Sequence, residues 1–157
     1  MLDRSDYAIR FAQLQDVNTI ARHRAWMFRD MDSVNEEECQ QLLEVSTPWL
    51  VSVIERGEYV GWLVEYEGEV VAGGGILLMD LGPRPGWFRM GRGGHIVNIY
   101  TEAAHRRRGL ARRLMEEILA WCAEQKLDQV TLAASDEGRP LYESLGFVAT
   151  NDMRLVR

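Results

Sequence analysis

Five arginines crowd the start of a predicted helix, and this placement favours the binding of an anion. They are Arg106, Arg107, Arg108, Arg112 and Arg113. The helix predicted over residues 109–125 has neither a capping side chain at its N-terminus nor an acidic residue in its first turn. Each basic residue at the positive end of the helix dipole costs a few tenths of a kcal/mol, up to about 1 kcal/mol. A bound phosphate would accept from the free amides and neutralise the guanidinium groups, and Gly109 would let the backbone approach it closely.

Two other interpretations of the arginine cluster stay open at this point. One is a solvated basic patch, since charge runs often lie on the surface. The other is a nucleic-acid-binding surface, which predicts salt-sensitive binding of DNA or RNA. The chain carries 18 basic and 24 acidic residues, for a net charge of −6. This acidic balance disfavours a nucleic-acid partner and mildly favours a cationic one.

Length and composition are typical of one globular domain over residues 1–157. Hydrophobic residues make up 46% of the chain and charged residues 27%. No apolar run is long enough to cross a bilayer, and the first residues lack the apolar core of a signal peptide. We therefore expect a soluble, cytoplasmic protein with no membrane partner. The two cysteines and three histidines lack the spacing of a metal site, so no metal is expected.

Hydrophobic periodicity and turn residues predict alternating strands and helices. The predicted elements are a strand over 7–11, a helix from an Asp16 N-cap through Phe28, a helix over about 35–45 opened by Asn35, strands over 59–66, 70–79 and 95–101, a helix over 109–125, a strand over 129–134, a short helix near 137–145 ended by Gly146, and an extended segment over 147–156. Residues 67–69 read as a hairpin turn, and the three glycines at 73–75 predict a bulge or a close backbone approach. The order predicts an α+β domain with a mixed sheet and a strand–helix–strand unit over 95–134.

The loop that opens the long helix resembles a known signature. Arg106-x-x-Gly109-x-Ala111 is similar to the R/Q-x-x-G-x-G/A motif of the GNAT (Gcn5-related) superfamily of acyl-CoA-dependent N-acyltransferases. The segment Asn98-Ile99-Tyr100-Thr101 looks like the fourth strand of that family. Residues 140–147, PLYESLGF, are similar to its LYxxxGF segment. The element order fits as well, so the resemblance covers nearly the whole chain.

The resemblance implies a GNAT-like fold, acetyl-CoA as cofactor and a set of cofactor-binding residues. The implied fold is a central twisted, mostly antiparallel sheet with a parallel pair of splayed strands, flanked by helices. Backbone amides of the 106–111 loop would hold the pyrophosphate, and Ile99, Tyr100 and Thr101 would pair with the pantetheine arm. The implied loop residues are Arg106, Arg107, Arg108, Gly109, Leu110 and Ala111, and the side chains of Arg108 and Arg112 could reach phosphates.

Two positions depart from the family pattern. Ser135 stands where relatives often carry an asparagine, seven residues before the tyrosine of the LYxxxGF segment. Serine still donates one hydrogen bond, with a shorter reach, and we count it among the cofactor-binding residues. Ala103 replaces a proline often found six residues before the loop glycine. We expect cofactor binding to survive both changes.

The implied reaction is direct attack of a neutral amine on a thioester, which needs an acid and profits from a base. The resemblance places Tyr142 near the thioester sulfur, as proton donor to the departing thiolate. His95, on the motif strand, is the candidate base, because its ordinary pKa near 6.5 suits proton transfer. Both residues also have a structural interpretation, as a packed helix tyrosine and a strand-edge histidine. Alternatives for the base are a water held by Asn98, and the weaker candidates Glu58, Glu65 and Glu102.

The sequence thus favours an N-acetyltransferase acting on an amine of a small molecule or peptide. The alternative is a catalytically weak CoA-binding sensor of the same fold. The acceptor pocket is expected on the first helix, with Trp26, Met27, Phe28 and Met31, and in the 80–94 loop with Trp87 and Phe88. A homodimer is expected from the resemblance, because relatives often pair through C-terminal strands.

Overall fold

A five-stranded sheet carries helices on both of its faces. The computed structural model describes residues 6–88 and 91–156. Its elements are β1 (Tyr7–Phe11), α1 (Val17–Asp30), α2 (Glu36–Glu55), β2 (Tyr59–Tyr66), β3 (Glu69–Asp80), β4 (Arg92–Thr101), α3 (Leu110–Glu124), β5 (Gln129–Leu132) and α4 (Arg139–Ser144), with short 3-10 turns at Leu14–Asp16 and Ala103–His105. None of the described helices is long and apolar enough to span a membrane.

The strands follow one another across the sheet in chain order, from β1 to β5. The neighbours β1–β2, β2–β3 and β3–β4 pair antiparallel. β4 and β5 run parallel, and α3 connects them. The predicted α+β class and the mixed sheet with its parallel pair are therefore confirmed.

Successive side chains of β2 point to opposite faces of the sheet, and their contacts show which helices cover each face. Trp62 and Val64 lie in the cluster that contains the buried stripe of α3. Leu63, between them, packs with residues of α1 and α2. The helix predicted over 109–125 forms as α3, and one face of it is buried, through Leu110, Leu114, Met115, Ile118 and Cys122. The loop before α3 is thereby anchored to the sheet.

Both turn predictions for the β2–β3 region are confirmed. Glu67 and Gly68 have φ values of 50° and 81°, which is the left-handed pair that a tight two-residue hairpin requires. The register of β3 against β4 shifts between Gly73 and Gly75, as a bulge would make it. Gly75 also leaves room for the ring of Tyr59, because a Cβ at this position would overlap the tyrosine hydroxyl.

The second helix is longer than predicted and runs to Glu55 rather than about residue 45. Its start is as expected, because Asn35 and Glu38 form a capping box with bonds of 2.8 and 2.9 Å. Pro48 lies inside the helix and removes one backbone donor. Burial of Leu50 and Val53 against the sheet keeps the chain helical past the proline. Tertiary packing here overrides a local helix breaker.

The predicted Asp16 cap forms only in part. Asp16 is the residue before α1, but its side chain makes no capping bond to that helix. Its carboxylate instead accepts from the Gln13 amide at 2.7 Å and from Arg10 at 2.8 Å. The side chain therefore closes the preceding 3-10 turn and ties it to β1.

The extended segment predicted over 147–156 does not pair as a last strand of the sheet. Described residues from 147 onward form no strand, and β5 stops at Leu132 rather than 134. Side chains of this last segment are largely exposed, with Val148 at 81% and Met153 at 97%. An extended segment becomes a strand only when its backbone groups find a ladder partner, and this segment has none within the described chain.

We predict that Gly75→Ala lowers the free energy of unfolding by about 1–3 kcal/mol, because the added methyl group overpacks the Tyr59 ring. Urea denaturation followed by circular dichroism measures the change. A loss below about 0.5 kcal/mol, which is the range of neutral surface substitutions, would contradict the assigned contact.

Candidate functional site

The N-terminus of α3 has the backbone geometry of an anion cradle. Arg107 and Gly109 have positive φ values of 61° and 76°, and no side chain caps the helix. The amide of Arg113 makes the first helical bond, to the Gly109 carbonyl at 3.1 Å. The amides of Leu110, Ala111 and Arg112 precede it, and no cap or acidic residue of the first turn satisfies them. The structure thus supports the deduction from the sequence that this terminus lacks an internal partner.

Two of the five arginines serve the fold. Arg106 pairs with Asp30 at the end of α1 at 2.6 Å and donates to the Thr101 carbonyl at 2.8 Å. Arg113 donates to the Tyr7 carbonyl of β1 at 3.2 Å. The side chains of these two arginines are therefore engaged with neighbouring elements. The Arg106 backbone amide, at the start of the loop, donates to the Ala103 carbonyl at 3.4 Å.

The other three arginines surround the cradle at the surface. Arg107 is exposed, and within the described residues Arg108 makes one long contact, to the Ala104 carbonyl at 3.5 Å. Arg112 is exposed and donates to the Ser144 hydroxyl of α4 at 2.8 Å. Their guanidinium groups have donors left over, since each carries five N–H bonds. Together with the free amides they fit a polyanion such as a pyrophosphate.

The parallel strands part beside this cradle. β4 and β5 pair only from Gly93 with Gln129 to Ile96 with Leu132. Beyond that point β4 continues to Thr101, bonded to β3 on its other side alone. Among the described residues nothing pairs with the β5-facing edge of Ile99, Tyr100 and Thr101. This edge can accept an extended, amide-bearing ligand as an added strand.

Tyr142 and His95, which the sequence predicts as acid and base, line one cavity of about 350 Å³. Burial raises the pKa of Tyr142 above its ordinary value, so the phenol stays protonated and can donate. Burial lowers the pKa of His95, whose Nδ1 lies 2.8 Å from the Thr131 hydroxyl. His95 is therefore mostly neutral at pH 7, and an imidazole nitrogen can accept a proton.

Ser135 and Gly138 hold the turn that presents Tyr142. The Ser135 hydroxyl accepts from the Gly138 amide at 3.1 Å, which leaves its O–H free to donate. Gly138 contacts the tyrosine closely, since a Cβ there would lie 2.9 Å from Tyr142 Cε2. Pro140 in the first turn of α4 suits the helix start, because that position needs no backbone donor.

The weaker candidates for a base lie in other surroundings. Glu58 pairs with Arg56 at 2.8 Å, and Glu65 pairs with Arg10 at 2.7 Å. Glu102 contacts the buried His23 at 3.2 Å. None of these three carboxylates lines the cavity of Tyr142.

Sequence reasoning missed a polar network between α1, β2 and β4. Arg24 of α1 donates to the Asn98 side chain at 2.7 Å, and Asn98 donates to the Tyr59 hydroxyl at 3.3 Å. Asn98 is buried and has a φ of 64°, which marks an irregularity in β4 next to the free edge. The only hint in the sequence was a polar residue, Asn98, within an apolar strand.

The aromatic residues expected to form an acceptor pocket divide between two regions. Phe28 lies against Arg24, with 5.2 Å between the guanidinium carbon and the ring centre, and Trp26 packs beside Tyr100 at 6.4 Å. Trp87 and Phe88 in the loop after β3 are exposed, Phe88 at 83%. Phe28 thus reaches the Asn98 network through Arg24, whereas Trp26 packs on Tyr100 and the two loop side chains point to solvent.

Residues 17–147 match the model of the acetyltransferase (GNAT) family. The match spans most of the chain, and the protein belongs to this family. The identity predicted from the loop signature is confirmed. Members of the family use acetyl-CoA as the donor in N-acetyl transfer.

Solved structures share this fold over almost the whole chain. A GCN5-related N-acetyltransferase from Ralstonia eutropha JMP134 is 28% identical, covers 96% of this chain and 98% of its own, and has a TM-score of 0.88. A predicted acetyltransferase with acetyl-CoA from Clostridium acetobutylicum is 24% identical, covers 96% of each chain, and has a TM-score of 0.84. A ribosomal-protein-alanine N-acetyltransferase from Brucella melitensis biovar Abortus 2308 is 19% identical, covers 96% of this chain and 98% of its own, and has a TM-score of 0.70. No curated protein is significantly similar in sequence.

We predict that Gly109→Glu weakens CoA binding about a hundredfold or more, because a carboxylate in the cradle repels the phosphates at short range. Isothermal titration calorimetry with CoA measures the change. Gly57→Glu is the matched control, since Gly57 has a similar φ of 69° and open space around it. Both variants carry the same backbone strain, so equal CoA affinity in the two would refute the cradle.

Proposed function

We propose that this chain is a cytoplasmic N-acetyltransferase that moves an acetyl group from acetyl-CoA to an amine of a small molecule or peptide. The observation that carries the proposal is the uncapped α3 terminus beside the parted strands and Tyr142. Amides and arginines fit a pyrophosphate, and the free edge of β4 fits the amides of a pantetheine arm. The membership of the family supports the same donor.

Individual residues have the following proposed roles toward the cofactor. Backbone amides of the loop after Arg106, through Ala111, hold the pyrophosphate, since the Arg106 amide itself donates to Ala103, and the side chains of Arg108 and Arg112 add contacts. The backbone of Ile99, Tyr100 and Thr101 binds the pantetheine, and Ser135 donates one further hydrogen bond. When bound, acetyl-CoA supplies an activated acyl carbon and a thiol leaving group.

The acceptor amine must lose a proton before it can attack. An alkyl amine with a pKa near 10.4 is uncharged in only about one molecule in a thousand at pH 7.4, which costs about 4 kcal/mol. His95, kept neutral by burial, is the proposed group that accepts this proton, directly or through water. The amine nitrogen then forms the new bond to carbon as the carbon–sulfur bond breaks.

Tyr142 is the proposed proton donor to the departing sulfur. Its raised pKa keeps the phenol protonated, and Tyr142 lines the same cavity as His95, which supports the pairing of these two residues as acid and base. After turnover the phenolate regains a proton from solvent or from the protonated base. This pairing of two groups with oppositely shifted pKa values is typical of acid–base catalysis.

We also propose a homodimer. The last described residues pair with no strand of the described chain, and the side chains of Val148, Met153 and Leu155 are exposed. A second copy would bury such side chains. Size-exclusion chromatography with light scattering measures the assembly.

The function is tested by following free-thiol release from acetyl-CoA with a panel of amines. The panel contains polyamines, aminoglycosides, amino acids, arylamines and peptide N-termini, and a reaction without amine is the control. We expect release that depends on one amine class. If acetyl-CoA protects the protein from heat but no amine gives release, either the acceptor lies outside the panel or the protein is a CoA-binding sensor.

For Tyr142→Phe we expect a fall in kcat of about a hundredfold with little change in CoA affinity, because only the proton donor is lost. Steady-state kinetics with the amine found above measures kcat, and calorimetry measures CoA binding. Tyr66→Phe is the control, because Tyr66 lies on β2 outside the cavity. A near-normal kcat for Tyr142→Phe would remove the tyrosine from the mechanism.

A further inference from the structure

Arg24 is a half-buried cation without an acidic partner. Its Nε is fully buried and has no hydrogen-bond partner among the described residues. Its one hydrogen bond to the described chain goes to Asn98, an uncharged amide, at 2.7 Å. Burial lowers the pKa of Arg24, and no carboxylate opposes that shift. A charge withdrawn from water without a counter-ion is costly, so the site calls for an anion from outside the chain.

The acidic residue on the same helix and the one directly after β4 contact other side chains. Asp30 pairs with Arg106 at 2.6 Å, and Glu102 contacts His23 at 3.2 Å. Tyr59 does not supply the charge either, because burial raises its pKa to about 12 and keeps the phenol neutral. The cation of Arg24 is therefore uncompensated within the described chain.

Aromatic rings fix the guanidinium on the face of the sheet covered by α1 and α2. Its carbon lies 5.2 Å from the ring centre of Phe28 on α1 and 5.0 Å from that of Trp49 on α2. Stacking of this kind leaves the edge of the guanidinium plane, which carries the N–H groups, for hydrogen bonding. The aromatic walls also suit the apolar part of a small ligand.

Asn98 connects Arg24 to the proposed site of acyl transfer. It lies directly before Ile99 and three residues after His95, in the part of β4 beyond Ile96 that no longer pairs with β5. A strand advances about 3.3 Å per residue, so the network is within about 10 Å of both positions along β4. An anion on Arg24 would hold the rest of a small molecule beside that edge.

We infer that Arg24 binds the carboxylate of the acceptor, so that the substrate is a small molecule with both an amine and a carboxylate. This inference rests on the proposed function, and it narrows the acceptor to amino acids in the broad sense. A carboxylate, with one negative charge, matches the single positive charge of Arg24 better than a phosphate dianion does. Within the described chain Arg24 is the only cation in the Asn98 network, and the neighbouring Arg22 and Arg29 lie over Trp26 instead.

The test compares acids with their own amides. The probes are L-alanine, L-phenylalanine, β-alanine and 4-aminobutanoate, each beside its primary amide. Two readouts are taken, thiol release from acetyl-CoA and calorimetric binding of each probe to the protein saturated with CoA. We expect at least one acid to be preferred over its amide by about tenfold or more in both readouts, because a charge-assisted hydrogen bond is lost in the amide. The preferred spacing between amine and acid reports the distance from Arg24 to the thioester.

Arg24→Gln is expected to abolish this preference while leaving CoA affinity unchanged. Arg22→Gln is the matched control, because Arg22 is an exposed arginine of the same helix outside the network. Arg24→Lys retains the positive charge but not the planar guanidinium that can donate two parallel hydrogen bonds, and it is expected to keep part of the preference for acids. If thermal unfolding shows that Arg24→Gln does not fold, Arg24→Lys is compared with Arg22→Gln in its place.

The outcomes separate the inference from the proposed function. Turnover without any preference for acids, or a preference that survives in Arg24→Gln, overturns the role of Arg24 and leaves the acetyltransferase intact. Binding of an acid that depends on Arg24 without any turnover supports the carboxylate site and overturns the transferase. If no acid is preferred in either readout, the inference is wrong.

Discussion

The short parallel pairing between β4 and β5 is the constraint on which the site depends. Only four residues of each strand are bonded before the strands separate. The pairing cannot extend, because β5 stops at Leu132 while β4 runs on to Thr101. The packing of α3 against the sheet keeps both strands in place, so the gap persists without a partner strand to close it. A continuous pairing would have buried the backbone edge that the proposed cofactor needs.

Charge is distributed around this gap by tertiary contacts rather than by sequence position. The five arginines look equivalent in the sequence, yet Asp30 and a β1 carbonyl engage the side chains of two of them. The remaining three surround the uncapped end of α3. On the other face a single arginine is held between two aromatic rings. The protein therefore presents two separate cationic sites, one beside the helix terminus and one beside the irregularity at Asn98.

Much of the fold follows from local pattern. The alternation in β2, the stripe of α3 and the glycines of the hairpin are sufficient to predict these elements from the amino-acid sequence. The predicted end of α2 was wrong because proline locally disfavours a helix, whereas the burial of Leu50 keeps the chain helical past Pro48. The last segment does not form a strand because an extended sequence pattern does not by itself provide a neighbouring strand for its backbone hydrogen bonds. The Arg24–Asn98 contact could not be predicted, since it joins residues 74 positions apart and depends on a positive φ.

The irregularity of β4 also separates recognition from proton transfer. The groups of its network do not titrate near neutrality: an arginine stays charged, an amide has no relevant pKa, and Tyr59 ionises only near pH 12. His95, three residues away, carries the proposed proton-accepting imidazole, and burial lowers its pKa. With the roles proposed for Arg24 and His95, the groups that would hold the acceptor carboxylate keep their charge state near neutral pH, and acidification would act on the proposed proton acceptor instead.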